Sequence, residues 1–349
     1  MNNQYSTLNL MRHLFADSKS QRKLPVDSIE SFEAWQTSLR EKLVDSLGFS
    51  CMEKVPANPQ VLEEVQEKGY RRVKVTIDTD PYSTMPFYML VPDSQSRPLK
   101  PIIAPHGHGI GGKLGIAGVR GEYPEVDKLL DAAPKNAYGK DLVQQGYLVF
   151  CPDARGTGER REMDHSKMPG ILSSSCSYIN DIASALGTSL MGLWMWDIAR
   201  LADYVLTLDN IVPDTLGCVG MSGGGWQALL FSAIDLRVTC TVVSGYFYGF
   251  LESHLDSHQC ACNYFQNLWN LADIDELGCL VAPRPLFIEN GSKDPLNGAN
   301  GLANVYPFVD KVRDVMTFMG KENNLYHSVF EGKHEWNGEK VPMWLSEHF

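Results

Sequence analysis

Gly220-Met221-Ser222-Gly223-Gly224, with Gly225 following, is the densest chemical signal in the chain. The apolar run 216–221 leads into it, and a helix-forming run over 226–234 leads away. A serine on a sharp strand-to-helix turn is what a nucleophile elbow requires: glycines remove Cβ where the backbone doubles back, and the hydroxyl stands at the tip of the strand. A hydroxyl attacks poorly until a neighbouring base takes its proton, and that base needs an acid to orient it. In this arrangement the acid and the base follow the serine in that order. Asp294 sits in Asn290-Gly291-Ser292-Lys293-Asp294-Pro295, leaving the apolar run 285–289. His334 sits in Glu331-Gly332-Lys333-His334-Glu335-Trp336, leaving the run 326–330. Of the other downstream histidines, His327 lies within that last run, His348 at the terminus, and His254 and His258 in an earlier insert. The expected triad is Ser222, Asp294 and His334, with Glu289 or Asp273 as remote alternatives for the acid.

Acyl transfer also needs two preorganised N–H donors for the oxyanion, one just after the nucleophile and one from the loop after an early strand. Gly223 supplies the first. The run 101–104 enters Pro105-His106-Gly107-His108-Gly109, whose H-G-x-G turn assigns the second donor to the backbone of His108, with Gly107 adjacent. The same turn contains Gly107-His108-Gly109-Ile110-Gly111-Gly112, a G-x-G-x-x-G pattern. A dinucleotide site would need that pattern to open a helix. The sequel, Gly-rich and ending in proline, makes a poor one, and no strand precedes Asp127 about twenty residues on. Asp153-Ala154-Arg155-Gly156-Thr157-Gly158 follows the run 147–151, and a guanidinium fork there suits bracing nearby carboxylates.

These residues need a framework. Short apolar runs at 101–104, 147–151, 216–221, 238–244, 285–289 and 326–330 alternate with helical stretches, which predicts βαβ crossovers and a mostly parallel sheet covered on both faces. The clearest crossover helix carries Leu190, Leu193, Trp194, Ile198, Leu201, Val205 and Leu208 at helical spacing. Ahead of the sheet, residues 31–47 read as a helix stopped by Gly48, and 70–77 and 87–91 as an antiparallel pair joined by a turn over 79–86. The expected organisation is an N-terminal helical extension and linker (1–60) on an α/β domain (61–349) with insert loops at 109–138, 159–187 and 246–272. The aromatic residues Tyr246, Phe247, Tyr248, Phe250, Tyr264, Phe265 and Trp269 of the last insert fit either a substrate pocket or a self-packed lid.

The chain has 349 residues, 31 Lys and Arg against 42 Asp and Glu, and a formal net charge of −11. Nucleic acid and anionic membranes are poor partners for such a surface. No run has the length of a membrane span, and the first residues lack the basic start and apolar core of a secretory leader. Most of the eight cysteines lie among apolar residues and none forms a C-x-x-C pair, so they read as reduced core thiols in a cytoplasmic protein. Cys260-Ala-Cys262 is a weak zinc hint without a matching second pair. No metal or organic cofactor is expected.

The residues together resemble the α/β-hydrolase superfamily, and within it the bacterial esterases grouped with acetyl xylan esterase, cephalosporin-C deacetylase and dienelactone-hydrolase-like proteins. The resemblance covers most of the chain: the helix FEAWQTSLREKLVDSLGF, the H-G-x-G turn, Asp153-x-Arg-Gly-x-Gly, GMSGGG, APRPLFIENGSKDP and GKHEW. It implies an α/β-hydrolase fold and a serine carboxylic ester hydrolase acting on acetylated carbohydrate or other small esters. It also implies that Arg155 and Glu335 help to hold the site. Two positions depart from the deacetylase pattern: Gly223 replaces a glutamine, and Arg155-Gly156-Thr157 replaces Arg-Gly-Gln. The expected partner is a small-molecule ester, and the reading admits a homo-oligomer. The rivals are a peptidase or other acyl hydrolase on the same triad, and a non-catalytic binding protein of this fold.

Overall fold

The computed structural model describes residues 5–93, 98–162 and 170–349. Among them the apolar runs become a nine-stranded sheet: β1 (Gln60–Glu67), β2 (Tyr70–Asp80), β3 (Ser83–Pro92), β4 (Pro101–Ile103), β5 (Leu148–Pro152), β6 (Gly217–Met221), β7 (Cys240–Ser244), β8 (Leu286–Gly291) and β9 (Leu325–Phe330). The order is β1-β2-β3-β5-β4-β6-β7-β8-β9. Pairing is antiparallel from β1 through β3 to β5 and parallel from β5 across to β9. The helices are α1 (Leu8–Gln21), α2 (Ile29–Ser46), α3 (Lys113–Ala117), α4 (Pro124–Ala132), α5 (Tyr138–Gln144), α6 (Cys176–Ala185), α7 (Leu190–Val205), α8 (Gly223–Ile234), α9 (Leu268–Leu271), α10 (Ile274–Val281), α11 (Tyr306–Phe318) and α12 (Val341–His348).

Successive residues of a strand point to opposite faces, so a sheet covered on both sides buries them alternately in two cores. Leu148 and Phe150 of β5, Cys218 of β6, Val243 of β7 and Ile288 of β8 join one core with α1, α2, α7, α8, α10 and α11. Their neighbours Val149, Cys151, Val219, Val242 and Phe287 join the other with α3, α4, α5 and α12. The stripe of α7 is core as expected: Leu190, Trp194, Ile198, Leu201 and Val205 are all buried. No helix among the described residues is long and apolar enough to cross a membrane.

The structure departs from the expected elements at the N-terminal side. The opening antiparallel pair is a triple, because β1 adds an outer strand whose residues are exposed or half-buried and whose acidic residues obscure the alternation. The turn expected over 79–86 shrinks to Pro81 and Tyr82, tightened by Tyr82 N–H donating to Asp80 Oδ1 at 2.9 Å. Helix α1 buries only Phe15 and therefore left no stripe to read. The segment 109–138 is α3, α4 and a short turn rather than a loop, with Leu114, Ile116, Ala117, Val126 and Leu130 packed into the second core. Of the insert 159–187, residues 163–169 lie outside the described residues, and α6 occupies its second half.

Candidate active site

Ser222 stands between β6 and α8 with φ 58° and ψ −128°, a conformation side-chain-bearing residues seldom adopt. The elbow is held by Ser222 N–H donating to Ser244 O and Trp226 N–H donating to Ser222 O, each at 2.9 Å. The glycines around it are required by close approach. A Cβ on Gly220 would lie 2.1 Å from Gly224 O, and one on Gly224 would lie 2.2 Å from Pro105 O. Both obstacles are backbone, so the chain itself has to move. Gly224→Ala is expected to cost about 1–3 kcal/mol through overpacking and to lower ester hydrolysis by displacing the Pro105–His106 turn. Urea unfolding and initial rates check this, and a variant with the wild-type midpoint would contradict it.

Asp294 and His334 come from two loops laced together by their backbones. Ser292 N–H donates to Phe330 O at 2.9 Å and Lys293 N–H to Gly332 O at 2.8 Å. Gly291 permits this approach, since a Cβ there would lie 2.3 Å from Lys333 O. Asp294 is buried, and its Oδ2 lies 2.7 Å from Nδ1 of His334 while its Oδ1 accepts Leu296 N–H at 2.8 Å. Nε2 of the same imidazole lies 2.7 Å from Ser222 Oγ. Three residues from three loops thus form one hydrogen-bonded line, with the serine at its open end. Ser222 and His334 share a cleft lined by Gly107, His108, Tyr138 and Cys260.

The alternatives for the acid lie elsewhere. Asp273 caps α10, accepting Ile274 N–H at 2.8 Å, and also accepts Phe250 N–H at 3.0 Å. Glu289 is fully buried, and its carboxylate accepts Ser244 Oγ–H at 2.9 Å, Asn337 N–H at 3.1 Å and Gly338 N–H at 3.1 Å. It therefore anchors the loop that carries His334, a task the resemblance gave to Glu335. Glu335 is exposed, and its Oε1 accepts Lys333 N–H at 3.2 Å, so it shapes only its own turn.

Gly223 opens α8, where the first N–H groups have no intrahelical acceptor. The H-G-x-G turn lies against it: a Cβ on Gly107 would be 3.1 Å from Ser222 Cβ and 3.5 Å from Gly223 N. Buried His106, not singled out from the sequence, locks that turn. Its Nδ1 donates to Gly107 O at 2.7 Å and its Nε2 accepts Ala154 N–H at 3.1 Å. Burial pushes its imidazole below the ordinary value, which suits this neutral form. Gln227 Nε2 adds bonds to His106 O at 3.0 Å and Gly223 O at 3.1 Å. The G-x-G-x-x-G pattern leads into the five-residue α3, whose N-terminus is filled by the protein's own carboxylate: Asp153 Oδ1 accepts Lys113 N–H at 2.7 Å. Arg155 braces from outside the cleft. It forks onto Asp197 at 2.9 and 2.8 Å and reaches Asp80 at 2.6 Å and Thr79 at 3.2 Å, tying β2 to α7.

The sequence profile of the Abhydrolase family matches residues 2–249, from α1 through the elbow. The chain belongs to that family. Of curated proteins, this Abhydrolase-family member is similar to the "Putative hydrolase YtaP" of Bacillus subtilis (strain 168), 25% identical over 250 residues that cover 69% of this chain and 73% of that one. A structure titled as a putative acetyl xylan esterase of Bacteroides fragilis NCTC 9343 superposes with a TM-score of 0.82 at 18% identity, covering 99% of this chain and 95% of that one. A glucuronoyl esterase of Solibacter usitatus does so with a TM-score of 0.64 at 15% identity, covering 93% and 95%. Both likenesses are of fold: the nine-stranded, mostly parallel sheet with helices on both faces is an α/β-hydrolase fold.

The aromatic start of the 246–272 insert resolves into packing. Tyr246, Phe247, Tyr248 and Phe250 are buried, and Tyr246 stacks on Trp226 of α8 with ring centroids 5.2 Å apart. His254 is buried among these rings, its Nε2 2.9 Å from Tyr246 Oη and its Nδ1 without a hydrogen-bond partner. Burial pushes its imidazole down to about 3, against about 6.5 in an unfolded chain. Between those values the unfolded chain binds the extra proton and the folded one does not, so its contribution to stability is complete above pH ~6.5 and is lost as pH falls toward ~3. The unfolding midpoint should fall between pH 6.5 and 4, and less steeply in His254→Gln. His327, pushed to about 4 by burial, and His106, also pushed down by burial, leave a residual slope in both proteins. An unaltered slope in the variant would remove His254 from the account.

Proposed function

We propose that the protein is a serine carboxylic ester hydrolase that works through an acyl-serine intermediate, with acetyl and other small esters of carbohydrates as its substrate class. The observation that carries the reading is the line Ser222 Oγ–His334–Asp294, with 2.7 Å at each junction. His334 Nε2 takes the proton as Ser222 Oγ bonds to the ester carbonyl carbon, and passes it to the departing alcohol as the carbon–oxygen bond breaks. Asp294 keeps the imidazole in the tautomer whose Nε2 is bare and stabilises the cation that forms. The N–H groups of Gly223 and His108 receive the oxyanion; losing one such donor typically costs about 2.7–4 kcal/mol in the transition state. Water then repeats the sequence on the acyl-serine and releases the acid. Family membership supports hydrolysis, and the esterase names of proteins sharing the fold support sugar esters.

The test is hydrolysis of p-nitrophenyl acetate, butyrate and octanoate, of acetylated xylan, and of a matched p-nitroanilide. The expected profile favours acetate and releases acetate from the xylan. A preference for octanoate would overturn the small-acyl class. Faster cleavage of the anilide would favour a peptidase, and inactivity on every compound a binding protein.

A further inference from the structure

Cys260-Ala-Cys262 lacks a second pair in the sequence, yet the fold supplies one. His108 of the oxyanion turn, Cys176 at the first residue of α6, Cys260 just before the short helical turn Ala261–Asn263 and Cys262 within it bring their donor atoms within 4.8 Å of one another. His108 Nε2 lies 3.7 Å from Cys176 Sγ and 3.2 Å from Cys262 Sγ. A tetrahedral zinc ion, with bonds of ~2.3 Å to sulfur and ~2.0–2.1 Å to nitrogen, sets sulfur–nitrogen edges of about 3.5 Å and sulfur–sulfur edges of about 3.8 Å. We propose that these four side chains form a closed Cys3His site for a structural zinc ion on the wall of the active-site cleft.

The donor set selects the metal and its role. Three soft sulfurs and an imidazole in a compact cluster suit Zn2+, whereas Mg2+ and Ca2+ take oxygen ligands. Four protein ligands leave no open position for water or substrate, which separates a structural site from a catalytic one. Binding releases the protons of those thiols that carry one, and a divalent ion with three thiolates has a net charge of −1. The ion therefore acts by position rather than as an electrophile. What it would hold together is specific: the turn bearing the His108 N–H, the start of α6, and the insert whose Cys260 lines the cleft. His108 faces both ways. Its Nε2 meets the sulfurs, while Nδ1 would lie 3.2 Å from a Cβ on Gly223. Metal on Nε2 leaves the proton on Nδ1, fixing the ring beside the elbow. A side chain at position 223 would press against this ring, whose Cε1 would lie 3.4 Å from its Cβ. His108 is on this view a positioning residue through its side chain as well as an oxyanion donor through its backbone.

The experiment is metal analysis of the full chain purified under reducing conditions, then dialysis against metal-free buffer and reconstitution with Zn2+ or Co2+. About one zinc per chain is expected. Cobalt should give intense thiolate-to-metal charge-transfer absorption and tetrahedral d–d bands. Cys176→Ser, Cys260→Ser and Cys262→Ser should each lose bound metal, while Cys51→Ser, at an exposed cysteine outside the cluster, keeps it. A strong chelator should lower Tm, and added zinc should restore it. Ser222→Ala should retain the full metal content, so failure of the esterase reading and failure of this one are distinguishable. Where a cysteine variant does not fold, the cobalt spectrum of the wild type decides. Less than ~0.1 metal per chain after reconstitution with no charge-transfer band, or a zinc-insensitive disulfide among the three cysteines, overturns the proposal.

Discussion

Ser222→Ala is expected to lower kcat for p-nitrophenyl acetate by roughly 10^4–10^6-fold, because the other members of a triad accomplish little without the nucleophile. The structure makes this a clean test. Alanine keeps Cβ in place, and Ser222 Oγ bonds to His334 Nε2 rather than to a buried structural group. The thermal midpoint should therefore stay near wild type, with the backbone still held at positive φ. That conformation costs a side-chain-bearing residue about 1–3 kcal/mol, so Ser222→Gly should be more stable than Ser222→Ala and equally inactive. Activity within tenfold of wild type in Ser222→Ala would remove Ser222 from the mechanism.

Asp294→Asn is expected to lower kcat by about 10^4-fold with a small change in stability. The carboxylate serves two N–H groups at once: Oδ1 accepts Leu296 N–H and Oδ2 faces His334 Nδ1. An amide has a single oxygen. If that oxygen stays on Leu296, the NH2 faces the imidazole and favours the tautomer with its proton on Nε2, which cannot take the serine proton. If it turns to His334, the cap on the Pro295–Asn297 turn is lost and NH2 confronts N–H. The first arrangement abolishes catalysis and keeps the fold, and the second does the reverse. Steady-state kinetics with thermal unfolding distinguish them, and a variant with wild-type kcat and wild-type Tm would show that Asp294 does not orient the histidine.

Glu335 and Glu289 mark the boundary between what sequence reading reached and what it did not. Both are acids near the histidine loop, and the H-E pair drew attention to the wrong one. Glu335 is adjacent to His334 in the chain but exposed, while Glu289, within β8, is enclosed beneath the loop and receives its N–H groups. The 246–272 insert is a parallel case. Its aromatic content fitted a pocket as well as a lid, and the structure divides it: Tyr246 stacks on Trp226 in the core, while Tyr264, Phe265 and Trp269 line a pocket beside Phe15 of α1. β1 and α1 were hidden because an edge strand and a helix with one buried residue have little apolar periodicity to show.

By itself the sequence determined the parallel core and the sharp strand-to-helix turn at Ser222. Those features are local: a strand buried on both faces must be continuously apolar, and a turn as tight as that at Ser222 excludes Cβ at Gly220 and Gly224. Only the tertiary structure decided which carboxylate meets His334, which acid anchors its loop, and that His108, Cys176, Cys260 and Cys262 converge. His108 and Cys262 are 154 positions apart, yet their donor atoms are 3.2 Å apart. No spacing rule encodes such a meeting, because it depends on how separate crossovers pack over one end of the sheet.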